Sequence, residues 1–199
     1  MTIKNWLYLT SIVVSIISVF LSNWLGQKAV IAKTSEEQKL KRYQSYYVPF
    51  MKFFYKTRPQ YWNFYDLRSA LNEKRDGSAI YELSQLMSNN LEYMGKDLPP
   101  LIARFNLIAD TRYSDISLAL DSKFLNAPSL DDAVKGVQEV NDLFDQIVVE
   151  TLQEATQLAK TLSLEPISEP LLASYLDEKR NRTELKAKIL AEREQSRHS

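Results

Sequence analysis

Residues Trp6–Leu25 form an uncharged run of 20 residues, and no other feature of the chain limits its architecture as strongly. At about 1.5 Å rise per residue such a run makes roughly 30 Å of helix, the thickness of a bilayer's hydrocarbon core. Trp6 and Tyr8 at one end and Trp24 at the other are rings suited to a water interface, with Lys4 and Lys28 beyond them. Eleven Leu, Ile, Val or Phe residues lie inside the run, and their gross insertion gain is about −3 to −7 kcal/mol. Thr10, Ser11, Ser15, Ser18, Ser22 and Asn23 reduce that gain, although a helical Ser or Thr softens its cost by bonding back to the carbonyl one turn earlier. The run reads as a single transmembrane helix, with residues 1–26 as the anchor. The competing reading is a cleaved secretory signal. Against it, the run is longer than a usual signal core, and the best small pair, Val30 and Ala32, lies beyond Lys28.

Charge sets the expected orientation. Residues 27–58 carry eight basic side chains against Glu36 and Glu37, a net of +6. Lys28, Lys33, Lys39, Lys41 and Arg42 form a collar next to the span, and such an excess favours the cytoplasmic side. The expectation is a cell-membrane protein with a single pass, its short N-terminus outside and its bulk cytoplasmic. The overall formal charge of zero is a cancellation, because residues 59–176 hold nine basic and eighteen acidic side chains while 177–199 carry a net of +2. Membrane lipid should attract the collar, whereas the acidic body argues against nucleic acid as a partner.

Every candidate element beyond the anchor is helical. Thr34 and Glu37 have capping-box spacing ahead of Leu40, Tyr43, Tyr47, Phe50 and Phe54, and Pro49 should kink or divide that helix. This basic, aromatic-rich juxtamembrane helix covers residues 27–58. A second helix is expected from Pro59 to Asp76-Gly77, a third from Ser78 to Met94 with Gly95 as its stop, and a fourth from Pro99-Pro100. Tyr113, Ile116, Leu120 and Phe124 keep the helical step up to a break at Asn126-Ala127-Pro128. Ser129 and Asp132 then cap a helix of roughly 35 residues, about 50 Å long, whose stripe Val137, Val140, Phe144, Ile147, Thr151, Ala155, Leu158 and Leu162 ends at Pro166 and Pro170. A charged last helix runs from Leu171 to about Glu194. The expected fold is all-α: an N-terminal transmembrane helix followed, over residues 59–199, by an antiparallel helical bundle with one long helix and a charged tail.

Ser11, Ser15, Ser18 and Ser22 share one helical face, a spacing that lets membrane helices approach closely as in an oligomer of the chain itself, and that equally suits small polar residues tolerated in a single-pass anchor. Between Tyr43 and Tyr65, eleven of twenty-three residues are aromatic. With interleaved cations they resemble a base-stacking platform, but their helical spacing and position beside a membrane favour core and interface. Asp131, Asp132, Glu139, Asp142, Asp145, Glu150 and Glu154 line the long helix and read as its solvated face.

No cofactor, metal site or catalytic group is expected. The chain lacks cysteine, its sole histidine is His198, and its four glycines form no phosphate-binding loop. The sequence therefore points to a non-enzymatic interaction or scaffold domain with a protein partner at or near the membrane. Architecture alone also allows a membrane-tethered regulator or phage-related exclusion or defence effector, and carboxylate-dependent catalysis is the remaining alternative.

Overall fold

The computed structural model describes the backbone of residues 3–69, 79–120 and 129–197 and the side chains among them except 3–17, 19, 29, 65, 69, 110, 112–120, 130, 131, 189, 190 and 193–197. The described residues are helical, with no strand. The expected helix end at Asp76-Gly77 and the break at Asn126-Ala127-Pro128 lie outside them. Two compact units divide the chain, 1–41 and 42–199.

The first unit consists of α1, Ile3–Arg42, up to the unit boundary. Glycine appears in it only at Gly26 and proline not at all, so nothing interrupts the backbone ladder. Thr34 consequently starts no helix. Its Oγ1 donates to the Val30 carbonyl at 2.9 Å, the bond a threonine makes inside a helix. Every described side chain from Ser18 to Gln38 is exposed. Among the described residues no helix is long and apolar enough to cross a membrane. The expected transmembrane helix Trp6–Leu25 is therefore not supported by them, and the side chains of Trp6 to Ile17 lie outside the described set.

The second unit opens with a turn of π-helix, Tyr43–Tyr47, which leads into α2, Val48–Lys56. Pro49 has no N–H to give the Ser45 carbonyl. The backbone responds just before it, where the Val48 N–H reaches back five residues to the Tyr43 carbonyl. The division expected at Pro49 is thus a widened turn, and it keeps Tyr43, Tyr46, Tyr47, Phe50, Met51, Phe53 and Phe54 all buried. The expected helix from Pro59 starts later than its pattern suggested. A 3₁₀ turn, Pro59–Tyr61, precedes α3, Phe64–Ser69, where Asn63 caps by accepting from the Asp66 N–H at 3.0 Å.

Helix α4, Ala79–Ser88, stops short of the expected Met94. Asn90 Nδ2 donates to the Leu86 carbonyl at 2.8 Å, which satisfies an end group that a longer helix would have used. After a 3₁₀ turn, Leu91–Tyr93, come α5, Leu98–Leu120, α6, Leu130–Thr161, and α7, Ser168–Arg197. The expected Ser129 cap is present, its Oγ accepting from the Asp132 N–H at 3.1 Å. Pro170 does not delay α7, because it lies in the first turn, where the missing N–H costs no intrahelical bond.

Helix α6 is the spine. Against it α5 runs antiparallel, with Arg104 bonded to Glu139 at 2.8 Å, the Phe105 and Phe144 rings 5.9 Å apart, and the Gly95 N–H bonded to Glu154 at 3.1 Å. On another side α7 is antiparallel too, joined through Thr156 to Ser168 at 2.7 Å, Asp145 to Tyr175 at 2.5 Å and Gln138 to Lys186 at 2.8 Å. The described part of the chain is therefore an all-α assembly, and residues 42–197 contain an antiparallel helical bundle. Phe64 stands edge-on to Phe105, while Phe54, Trp62 and Tyr175 form a second aromatic group. Each such ring contributes about 1.5–3 kcal/mol of gross burial energy, so the aromatic run is chiefly core.

Candidate functional site

The exposed surface of α1 is the first candidate. Phe20 is 72% exposed and Trp24 53%, with Leu21, Leu25, Val30 and Ile31 also open. Lys28 Nζ lies 3.9 Å from the centre of the Trp24 ring, a cation–π contact that groups a ring and a charge suited to an interfacial layer. Ser18 and Ser22 are exposed. The side chains of Trp6, Tyr8, Ser11 and Ser15 lie outside the described residues, so half of the proposed serine face is placed and half is not. Of the collar, Lys28, Lys33 and Lys41 are exposed and Lys39 is half-buried; Lys33 makes an open pair with Glu37 at 4.0 Å.

Arg42 belongs elsewhere. Its Nη2 donates to Glu154 Oε1 at 2.7 Å and its Nε to the Tyr93 carbonyl at 3.0 Å. The other Glu154 oxygen accepts the Gly95 N–H. One carboxylate thus joins the start of the second unit, the spine and the turn before α5. A Cβ at Gly95 would overlap that carboxylate, so Gly95 serves close approach and not the left-handed helix stop that its position suggested. Beside this clasp the buried Tyr47 hydroxyl makes no hydrogen bond of ordinary geometry, though Glu154 and Arg42 both lie near enough to act on it. Burial first, and then the nearby Glu154, push its pKa well above the ordinary tyrosine value.

A second polar hub lies lower on α6. Asp145 is only 7% exposed, so it is not part of a solvated face. Tyr175 donates to Asp145 Oδ1 at 2.5 Å, Lys179 stands 3.0 Å from Oδ2, and Arg182 approaches Oδ1 to 3.7 Å. Burial, with the Asp145 charge added, raises the Tyr175 pKa well above its usual value. Tyr46 is also raised, chiefly by burial, and its hydroxyl lies 3.3 Å from Thr151 Oγ1.

In the sequence Asp145 and Glu154 read as solvated carboxylates, because a single apolar stripe on α6 leaves them on the opposite face. The helix has neighbours on several sides. Val148, Leu152 and Ala159 form a second buried row in register with Asp145, and that row was a legible signal. Tyr175, Lys179 and Arg182, spaced by four and three, supply the matching face of α7. For the Arg42–Glu154 pair, 112 residues apart, no sequence signal exists. Elsewhere on the acidic row, Asp142 and Glu150 are bonded by Gln138 and Gln146, each at 2.8 Å.

Among the described residues no three His, Cys, Asp or Glu side chains are grouped to hold a metal ion. No family model matches the chain, and neither a curated protein nor a solved structure does.

Proposed function

We propose that the chain is a single-pass, membrane-anchored protein whose helical bundle is a non-enzymatic interaction module on the cytoplasmic side. The observation that carries this reading is the exposed apolar surface of α1, Phe20, Leu21, Trp24 and Leu25, immediately followed by Lys28. Apolar surface of this kind is costly in water and favourable in lipid. The 20-residue uncharged run supplies the length, and the basic excess of 27–58 supplies the orientation. Arg42 is withdrawn from the collar by its pairing with Glu154, which leaves Lys28, Lys33, Lys39 and Lys41 as the lipid-facing charges nearest the span.

The non-enzymatic part of the proposal rests on the hubs themselves. Each carboxylate is engaged by a cation and a second donor, half-buried Glu154 by Arg42 and the Gly95 N–H, and buried Asp145 by Lys179 and Tyr175. These groups serve better as cross-links than as acids or bases. A bundle held at a membrane meets its partner at raised local concentration.

The chain has no cysteine, so one introduced thiol reports its side cleanly. In Gln85→Cys, at an exposed position, an impermeant maleimide should label only after the cells are opened. Labelling of intact cells would overturn the cytoplasmic assignment. Crosslinking in cells then separates the two forms of this proposal, since a structural assembly favours a scaffold, and a transport or injection complex favours a regulator or defence effector.

A further inference from the structure

Between α6 and α7, beside Asn63, lies a cleft of about 230 Å³, several times the volume of one ordered water. Lys179, Arg182 and Lys186 line it against Asp142 and Asp145. Those charges are not evenly matched in space. Asp145 is already taken by Lys179 and Tyr175, at 3.0 and 2.5 Å. Asp142 is exposed and accepts from Gln138 at 2.8 Å. Arg182 pairs loosely with Asp145 through Nη2 at 3.7 Å and lies 6.0 Å from the centre of the Tyr175 ring, while its buried Nη1 has no hydrogen-bond partner. Lys186 donates to the Gln138 amide oxygen at 2.8 Å, a neutral acceptor that leaves its charge uncompensated. Asn141 Oδ1 is buried and unpartnered as well, and a half-turn of that amide would present its NH₂ group instead.

We infer that this cleft is an oxyanion site, in which Arg182 and Lys186, one turn apart on α7, hold a phosphate-type group and the Asn141 amide turns to donate to it. A guanidinium with unspent donors and an ammonium with no close carboxylate are what such a group lacks in water, and charge-assisted bonds to both are the strong class of hydrogen bond. Asp142 and Asp145 in the same wall limit the site to one compact anionic group and exclude an extended polyanion. The group's source is either free phosphate or a phosphomonoester lipid headgroup. The inference stands on the α6–α7 cleft alone and does not depend on the membrane reading of α1.

The test uses the full-length protein in detergent micelles at constant ionic strength, titrated with inorganic phosphate against chloride and followed by calorimetry and the thermal midpoint. A parallel arm uses phosphatidylcholine nanodiscs with and without phosphatidic acid. Saturable binding or stabilisation by phosphate assigns the free ion, and protection by phosphatidic acid alone assigns the headgroup. In either case Arg182→Gln should weaken the response about ten-fold, and Lys186→Gln about three-fold. Lys186 is exposed, so its variant keeps the fold and decides the matter if Arg182→Gln does not. No saturable response in either arm leaves the cleft to water and overturns the inference. A response that persists unchanged in Lys186→Gln also overturns it, because the anion is then bound elsewhere.

Discussion

Tyr47 and Tyr175 are both fully buried, yet their hydroxyls make opposite contributions to stability. Tyr47 makes no hydrogen bond of ordinary geometry, so Tyr47→Phe removes a poorly satisfied polar group and should raise unfolding stability by up to about 1 kcal/mol. Tyr175→Phe leaves buried Asp145 short of a donor and should cost about 1.5–3 kcal/mol. Urea unfolding of the two variants at neutral pH checks both signs, and equal effects would show that hydrogen bonding does not govern these sites. The raised pKa values of Tyr46, Tyr47 and Tyr175 add a dependence on pH. Above about pH 10 the unfolded chain releases tyrosine protons that the folded chain retains, so this contribution is whole below pH 10 and is lost as pH rises through the folded values. The urea midpoint should fall between pH 9 and 11.5, less steeply in Tyr47→Phe. At the clasp, Gly95→Ala should cost about 1–2 kcal/mol by forcing Glu154 off Arg42, but little in a Glu154→Ala background. A double-mutant cycle with no coupling would mean that the carboxylate yields freely. Of these sites only the Tyr175–Asp145 bond had a sequence signal, the second apolar row of α6 in register with Asp145, whereas Tyr47 looks like an ordinary core ring and Gly95 like a helix stop.

Helix identity was more legible than helix ends, and the difference has physical causes. The stripe of α6 and the Ser129 cap are local patterns, and both are present as read. The end of α6 depends on a residue with no obvious signal. Ser163 adopts a positive φ of 55°, while the Leu164 N–H bonds to the Ala159 carbonyl at 2.8 Å and the Ser163 N–H to that of Lys160 at 3.2 Å. These two bonds form a Schellman stop, usually built on glycine. A serine there carries the left-handed penalty, about 1–2 kcal/mol before the greater chain entropy of glycine is subtracted. Ser163→Gly should therefore stabilise the bundle by about 0.5–1 kcal/mol, and a lowered midpoint in thermal unfolding would mean that the serine hydroxyl has a role not seen in these bonds. Pro166 and Pro170 marked the neighbourhood of this stop but not its residue, because proline bars continuation without dictating how the preceding carbonyls are satisfied. The Pro49 division was legible for the same reason, and its π-turn form was not, since only the packing of Tyr43, Tyr46 and Tyr47 selects a wider turn over a kink.

At the scale of the whole molecule the division at Lys41 and Arg42 lets anchoring be tested apart from folding. The gross insertion gain of Trp6–Leu25, about −3 to −7 kcal/mol, is close to the cost of two aspartates near the centre of a span, about 5–7 kcal/mol. Val13→Asp with Ile16→Asp should thus cancel the proposed anchor, and neither position lies in the bundle. Replacing Lys28, Lys33, Lys39 and Lys41 with Gln removes collar charge and leaves the apolar run intact. Arg42 must be spared, because it bonds to Glu154 and Tyr93 and its loss would confuse folding with topology. After a carbonate wash the wild type and the Gln variant should remain with the membranes, whereas the double Asp variant should appear in the supernatant or be degraded before insertion. Circular dichroism of recovered protein should show undiminished helix in the bundle. Using the Gln85→Cys label, the Gln variant should show a mixed orientation, since the basic excess of residues 27–58 falls from +6 to +2. Release of the wild type by carbonate would reduce α1 to a peripheral helix. Release of the Gln variant alone would transfer the attachment from apolar insertion to attraction between the collar and anionic lipid, a force that salt screens.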